Sequence, residues 1–292
     1  MASLQDFSPT LQGWLRTVWY DRGTIMQEAR QHGAVEGGWQ VYDRYNAPGA
    51  QVAPLDRFVQ FLVAAKGIVR QANQRGQGLR LASQTGREIP DDFYHFLPVP
   101  RVGGAAYRIY LHTTQPVTLR ALPIVSMVVD RMQARPGIDE VKVAGPGMPA
   151  ARRDTIVIYL RDEMLVPWMI RELRTSESAG FTQDPVPSGT KRVHPGISWA
   201  EQPPDTTVGD GTYLTEIWGR GRHSFGSYLA GCIFRALWSN PGSGAEFLDF
   251  VIAAFREAGI DPRKPHLFDR PAPAPLIPNA QWLAMKGIPS AQ

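Results

Sequence analysis

Between Ser8 and Met26 apolar residues recur at helical spacing: Leu11, Trp14, Leu15, Val18 and Trp19, then Ile25 and Met26. Ser8 followed by Pro9 supplies a helix start, and the spacing predicts helical structure over 8–35. A Gly/Pro-rich break then runs from Gly37 to Gly49. Pro54 opens a second helix through Phe58, Phe61, Leu62, Ala65 and Val69, which fades at Gly76 and Gly78. The aromatic residues of these helices read as core.

From Asp91 the pattern changes. Tyr107-Arg108-Ile109-Tyr110-Leu111-His112 alternates as a strand does. A helix from Val117 to Met132, a strand from Glu140 to Ala144 and a strand from Thr155 to Arg161 follow. Next come a helix from Val166 to Arg174, a long Pro/Gly loop from Gln183 to Gly211, a strand from Thr212 to Trp218, and helices from Ser224 and Ala245. The expected fold class is α+β: a helical N-terminal layer packed on a mixed or antiparallel sheet core with flanking helices. The expected division is a helical region at 1–90, an α+β core at 91–270 and a Pro-rich tail at 271–292, where Pro271-Ala272-Pro273-Ala274-Pro275 is polyproline-like.

Composition adds limits. With 292 residues, 43% of them hydrophobic, the chain can bury a sizeable core. Its formal charge is +4, but the arginines are dispersed and no Lys/Arg run appears, so nucleic acid is not an expected partner. No stretch approaches the roughly 20 apolar residues of a membrane span, so no membrane partner is expected and the chain reads as cytoplasmic where it is made. Secretion as an injected effector stays open. The single cysteine, Cys232, sits in a helical apolar run and reads as structural.

The sequence contains no phosphate-binding P-loop, dinucleotide fingerprint, zinc-protease motif or nucleophile elbow. His32, His95, His194 and His266 stand isolated and read as surface or loop residues, so no metal and no cofactor are expected. Adjacency of His223 and Ser224 does not by itself make a dyad. Two-residue alternation does gather chemistry elsewhere. It places Arg108, Tyr110 and His112 on one face of their strand and Tyr107, Ile109 and Leu111 on the other. Lys142, one of five lysines in the chain, lies between Val141 and Val143, which should face a core. Arg152 and Arg153 precede the next strand. Arg220 and Arg222 lead into Ser224, a plausible N-cap at a helix start that would attract anions.

Several blocks carry a family resemblance. Arg108-Ile109-Tyr110-Leu111-His112, Val141-Lys142-Val143 and the run from Arg153 to Leu160 resemble successive blocks of HopA-type effectors. Phe181-Thr182, the run Gly196 to Pro203, Ser224-Phe225-Gly226 and Gly259-Ile260-Asp261-Pro262 continue the match in order, over roughly residues 90–268. Members of that family occur as injected effectors of plant pathogens and beside kinase-like proteins in lanthipeptide and thioamitide gene clusters. The family is also distantly similar to effector phosphothreonine lyases, which use a strand lysine as base and a histidine on a neighbouring strand as acid.

The resemblance implies elimination of phosphate from phosphothreonine or phosphoserine, giving a dehydroamino acid. Such chemistry needs a base for the α-proton, an acid for the leaving oxygen and fixed cations on the phosphate. It implies Lys142 as the base. Tyr110 falls where the acid histidine of those lyases would be and His112 one same-face position further, so either is a candidate acid, with His112 the better donor. Arg108, Arg152, Arg153, Arg220, Arg222, His223 and Ser224 are the candidate phosphate and substrate ligands. The implied partners are a phosphorylated precursor peptide and a kinase-like protein. The competing expectation is a non-catalytic injected effector that binds host or chaperone proteins.

Overall fold

The computed structural model describes residues 1–46, 55–101, 103–113, 122–148, 152–175, 182–203, 224–239 and 241–268. Among these the fold is α+β, with eight α-helices and a seven-stranded sheet. The chain divides into two units, Met1–Tyr45 with Ser188–Lys191 and Ala200–Gln292, and Asn46–Pro187 with Arg192–Trp199.

In the first unit, α1 (Pro9–Tyr20) buries the stripe Leu11, Trp14, Leu15 and Val18, the spacing of one helix face. Helices α2 (Arg22–His32) and α3 (Ala34–Asn46) follow at once. The expected Gly/Pro break at 37–49 is therefore helical as far as Asn46, and residues 47–54 lie outside the described ones. Gly37 is needed there for space: a Cβ on it would stand 2.2 Å from the Phe234 ring. That ring belongs to α7 (Phe225–Trp238), which is buried along nearly its whole length and packs on α8 (Gly244–Glu257). Cys232 is wholly buried within α7.

The second unit carries α4 (Leu55–Gln74), β1 (Leu79–Ser83), β2 (Phe93–Pro98), β3 (Tyr107–Leu111), α5 (Leu122–Ala134), β4 (Ile138–Ala144), β5 (Ile156–Leu160) and α6 (Leu165–Thr175). Strands β6 (Lys191–His194) and β7 (Ile197–Glu201) complete the sheet in the order β1-β2-β4-β5-β3-β7-β6. The pairs β1–β2, β2–β4, β4–β5 and β5–β3 are antiparallel. One sheet face is apolar: Tyr94, Phe96, Ile109, Leu111, Val141, Val143, Ile156 and Ile158 are all buried. On that face Phe61 of α4 meets the Tyr94 ring edge-on at 5.1 Å.

Two expectations are corrected by the sheet. The long loop read from Gln183 to Gly211 contains the β6–β7 hairpin, whose Pro195-Gly196 link is the turn itself. Gly196 takes a φ of +68°, and a Cβ there would lie 2.4 Å from the Gln183 nitrogen, so this crossing requires glycine. His95 and His194, read as isolated surface or loop residues, are strand residues of β2 and β6. The expected strand at 212–218 and the Pro-rich tail lie outside the described residues.

Candidate active site

The opposite face of the same sheet is polar, and the strand register decides which side chains share it. His95 pairs directly with Lys142, Lys142 with Val157, and Val157 with Tyr110. These four form one row across β2, β4, β5 and β3. A neighbouring row in the same register runs Glu140–Tyr159–Arg108, and the register shifts only beyond it, between Ile138 and Glu140. Facing side chains in such rows stand about 4.5–5.5 Å apart at Cβ, so their charges act on one another.

Lys142 is half-buried, and its Nζ lies 3.7 Å from the centre of the Phe93 ring. Among the described residues that ammonium has no hydrogen-bond or ion-pair partner. Burial pushes its pKa down from 10.5 to about 8; Arg152 and Arg108 push the same way, while Asp154 and Glu140 oppose them. A strand lysine without a carboxylate partner is thus deprotonated far more readily than a surface lysine.

Cations and an aromatic ring frame the amine. Arg152 also lies over the Phe93 ring, 4.4 Å from its centre, and its Nε pairs with Asp154 Oδ1 at 2.6 Å. Arg108 is buried and stacks over the Tyr159 ring at 4.9 Å. Burial pushes the Tyr110 phenol well above its ordinary value, against the opposing pull of the Arg108 charge. Glu140 is buried and takes a contact from His95 Nδ1 and one from Arg101 at 2.9 Å. These interactions hold its carboxyl below the ordinary value although burial itself pushes the other way.

His112, just beyond the end of β3, is buried, and its Nδ1 donates to the Pro185 carbonyl at 2.8 Å. The donor role fixes the neutral tautomer with its proton on Nδ1, which leaves Nε2 as an acceptor. Nε2 is buried without a partner among the described residues. Burial lowers the His112 pKa and Arg153 reinforces this, against the bond to Pro185. The position of β3 is held from beneath by Thr155, which donates to the Leu111 carbonyl at 2.8 Å and accepts from Thr113 N at 2.9 Å.

The structure therefore brings Lys142, Tyr110, Arg108 and Arg152 to one sheet face, with His112 just past the end of β3 and Arg153 close enough to act on its charge. Ser224 is the N-cap of α7, accepting from Ser227 N at 3.1 Å, and belongs to the other unit. Arg220, Arg222 and His223 lie outside the described residues. Sequence reasoning missed Phe93, His95, Glu140, Asp154 and Tyr159. Alternation in Phe93-Tyr94-His95-Phe96 was the available signal for His95. Among the described residues no group of three His, Cys, Asp or Glu side chains could hold a metal ion.

A family model described as the HopA1 effector protein family matches residues 91–267. Among solved structures, the chain is similar to the effector protein from Pseudomonas syringae pv. syringae strain 61, with a TM-score of 0.58 and 15% identity over 89% of this chain and 96% of that one. It is also similar to the effector protein from Pseudomonas syringae pv. tomato strain DC3000, with a TM-score of 0.57 and 16% identity over 88% of this chain and all 100% of that one. At these identities the likeness is one of fold. No curated protein matches the sequence.

Proposed function

The chain belongs to the HopA1 effector protein family, and we propose that it acts as a phosphothreonine/phosphoserine lyase on a phosphorylated precursor peptide. One observation carries this reading: Lys142, with its pKa lowered to about 8 and no ion-pair partner among the described residues, stands on a sheet face lined by arginines. That arrangement suits a proton acceptor working beside a bound dianion.

In the proposed reaction the Lys142 Nζ lone pair takes the α-proton of the phosphorylated residue. The C–H electron pair becomes the Cα=Cβ bond, the Cβ–O bond breaks, and its electrons leave on the phosphate oxygen. Arg108, Arg152 and Arg153 supply the fixed positive charge that the dianion needs. His112 protonates the departing oxygen. It is neutral in the free protein with a bare Nε2, so the bound phosphate dianion must first raise its proton affinity until Nε2 takes a proton from solvent, which it then gives to the leaving oxygen.

One observation favours a second acid. Burial keeps the Tyr110 phenol protonated at every working pH, and its strand pairing sets it one residue across the sheet from Lys142, with Val157 between them. The two assignments differ in pH dependence.

The family setting makes a kinase-like protein the natural source of the phosphorylated peptide, and a dehydroamino acid the product for a lanthipeptide or thioamitide pathway. Among the described residues no helix is long and apolar enough to cross a membrane. The test is incubation of the pure protein with phosphoserine and phosphothreonine peptides, followed by mass spectrometry for the dehydrated product. A protein that binds such peptides or host proteins and never eliminates phosphate is instead the non-catalytic effector of the competing expectation.

A further inference from the structure

His95 and Lys142 are directly opposed across β2 and β4, and each carries an unused hydrogen-bonding group. His95 Nδ1 contacts Glu140 Oε1, so the ring's proton sits on Nδ1 and Nε2 offers a lone pair. That Nε2 is buried and has no partner among the described residues. The Lys142 Nζ likewise has none, and its N–H groups are donors. Glu140 is itself fixed by Arg101 at 2.9 Å. An acceptor and a donor therefore stand on facing residues, with the acceptor's tautomer set by a buried carboxylate.

We propose that His95, held in its Nδ1–H tautomer by Glu140, is the positioning residue that orients the Lys142 amine. The inference rests on the reading of Lys142 as base. When Lys142 donates one N–H to His95 Nε2, its lone pair is aimed away from β2 and over the sheet, toward Tyr110 and Arg108. As Lys142 takes the α-proton it becomes an ammonium, and the same hydrogen bond becomes charge-assisted, roughly twice as strong as a neutral one. The interaction thus strengthens along the reaction, which is what a catalytic orienter must do. Catalytic hydrogen bonds are often long in the free protein and tighten with substrate.

Other groups act on Lys142 as well. Glu140 lies on its own strand, Arg152 and Asp154 on the approach to β5, and Arg108 and Tyr110 on β3. Phe93 covers it from β2. A His95 variant leaves Arg152, Asp154, Arg108, Tyr110 and Phe93 in place but takes one contact from Glu140, so Glu140→Gln is titrated beside it to separate that share.

The experiment follows the Lys142 titration directly, without substrate. The full chain is labelled with ¹³C-lysine; five lysines give few signals, and Lys142→Arg assigns the one of interest. In the unsubstituted protein its Cε signal should titrate with a midpoint of about 8. His95→Leu removes the acceptor and should lower that midpoint by about one pH unit, the worth of one lost hydrogen bond to a charged group. His95→Gln, which keeps a carbonyl acceptor, should stay closer to the unsubstituted value. Turnover of a phosphopeptide by His95→Leu should fall on the order of ten-fold, with the ascending limb of its pH profile moved the same way. Should His95→Leu fail to fold, His95→Asn, too short to reach, takes its place. Unchanged Lys142 midpoints in the Leu or Asn variant overturn the inference even when the protein is an active lyase. A shifted midpoint in a protein that eliminates nothing upholds the His95–Lys142 coupling and sinks the lyase reading alone.

Discussion

Tyr110 and Lys142 flank the same residue: each pairs directly with Val157, from β3 on one side and from β4 on the other. Val157 and Tyr110 are both buried, so one covered valine separates the amine from the phenol across the sheet. A substrate on this face would meet the proposed base and one candidate acid on either side of Val157.

The pH dependence of kcat/KM distinguishes the two acids. Lys142 must be neutral, and its value of about 8 means that this fraction grows as pH rises and levels off above that point. His112 must be protonated, and its lowered value means that this fraction shrinks as pH rises. With His112 as acid the profile is a bell that peaks between the two values and falls about ten-fold per unit at the alkaline end. With Tyr110 as acid it climbs through about 8 and stays level, because the phenol holds its proton.

Substitution sharpens the same choice. His112→Ala should slow elimination by about 10²–10⁴, the usual worth of a positioned acid, and Tyr110→Phe by much less. The reverse order, measured under single turnover, assigns the proton to the phenol. A peptide whose leaving group needs no protonation should rescue the acid variant and leave Lys142→Ala inactive.

Arg152 does two things, and its removal should show both. Loss of a charge-assisted contact to phosphate costs about 1.5–3 kcal/mol, so calorimetry of Arg152→Ala should show phosphopeptide affinity weakened ten- to a hundred-fold. The same change frees Asp154, which pairs with Arg152 at 2.6 Å and raises the Lys142 value. The ascending limb of the pH profile should therefore move to higher pH. Unaltered affinity would make Arg152 a packing residue for Phe93.

Thr155→Val tests the support beneath β3. The substitution keeps shape but strips the hydroxyl that joins Leu111 O and Thr113 N in a wholly buried position. Leaving those groups unsatisfied should cost about 1–3 kcal/mol, read as a lowered midpoint in thermal or denaturant unfolding.

Much of the site was legible because β periodicity is strict. Alternation in 107–112 assigned Arg108, Tyr110 and His112 to one face, and the valines around Lys142 turned its amine to the other side of β4 from the core. What the sequence concealed was pairing. The neighbours of β4 are β2 and β5, and those of β5 are β4 and β3, so the row from His95 to Tyr110 joins residues far apart in the chain. His95 was further hidden by Pro90, Pro98 and Pro100, which made a six-residue strand look like a loop. Gly37 and Gly38 disguised α3 in the same way, because the tight fit of Gly37 against Phe234 is a tertiary fact. The Pro/Gly content of 183–211 concealed a hairpin whose turn required those residues.

The central claim is that Lys142 removes an α-proton and phosphate leaves without water attack. Mass spectrometry of a phosphothreonine peptide after incubation with the pure protein, and with Lys142→Ala, tests it most directly. Elimination yields dehydrobutyrine, one water lighter than the threonine that hydrolysis would give. The account predicts the dehydrated peptide with free phosphate from the unsubstituted protein, and intact, still-bound phosphopeptide with Lys142→Ala. Recovery of threonine, or equal dehydration by the Lys142→Ala protein, would contradict it.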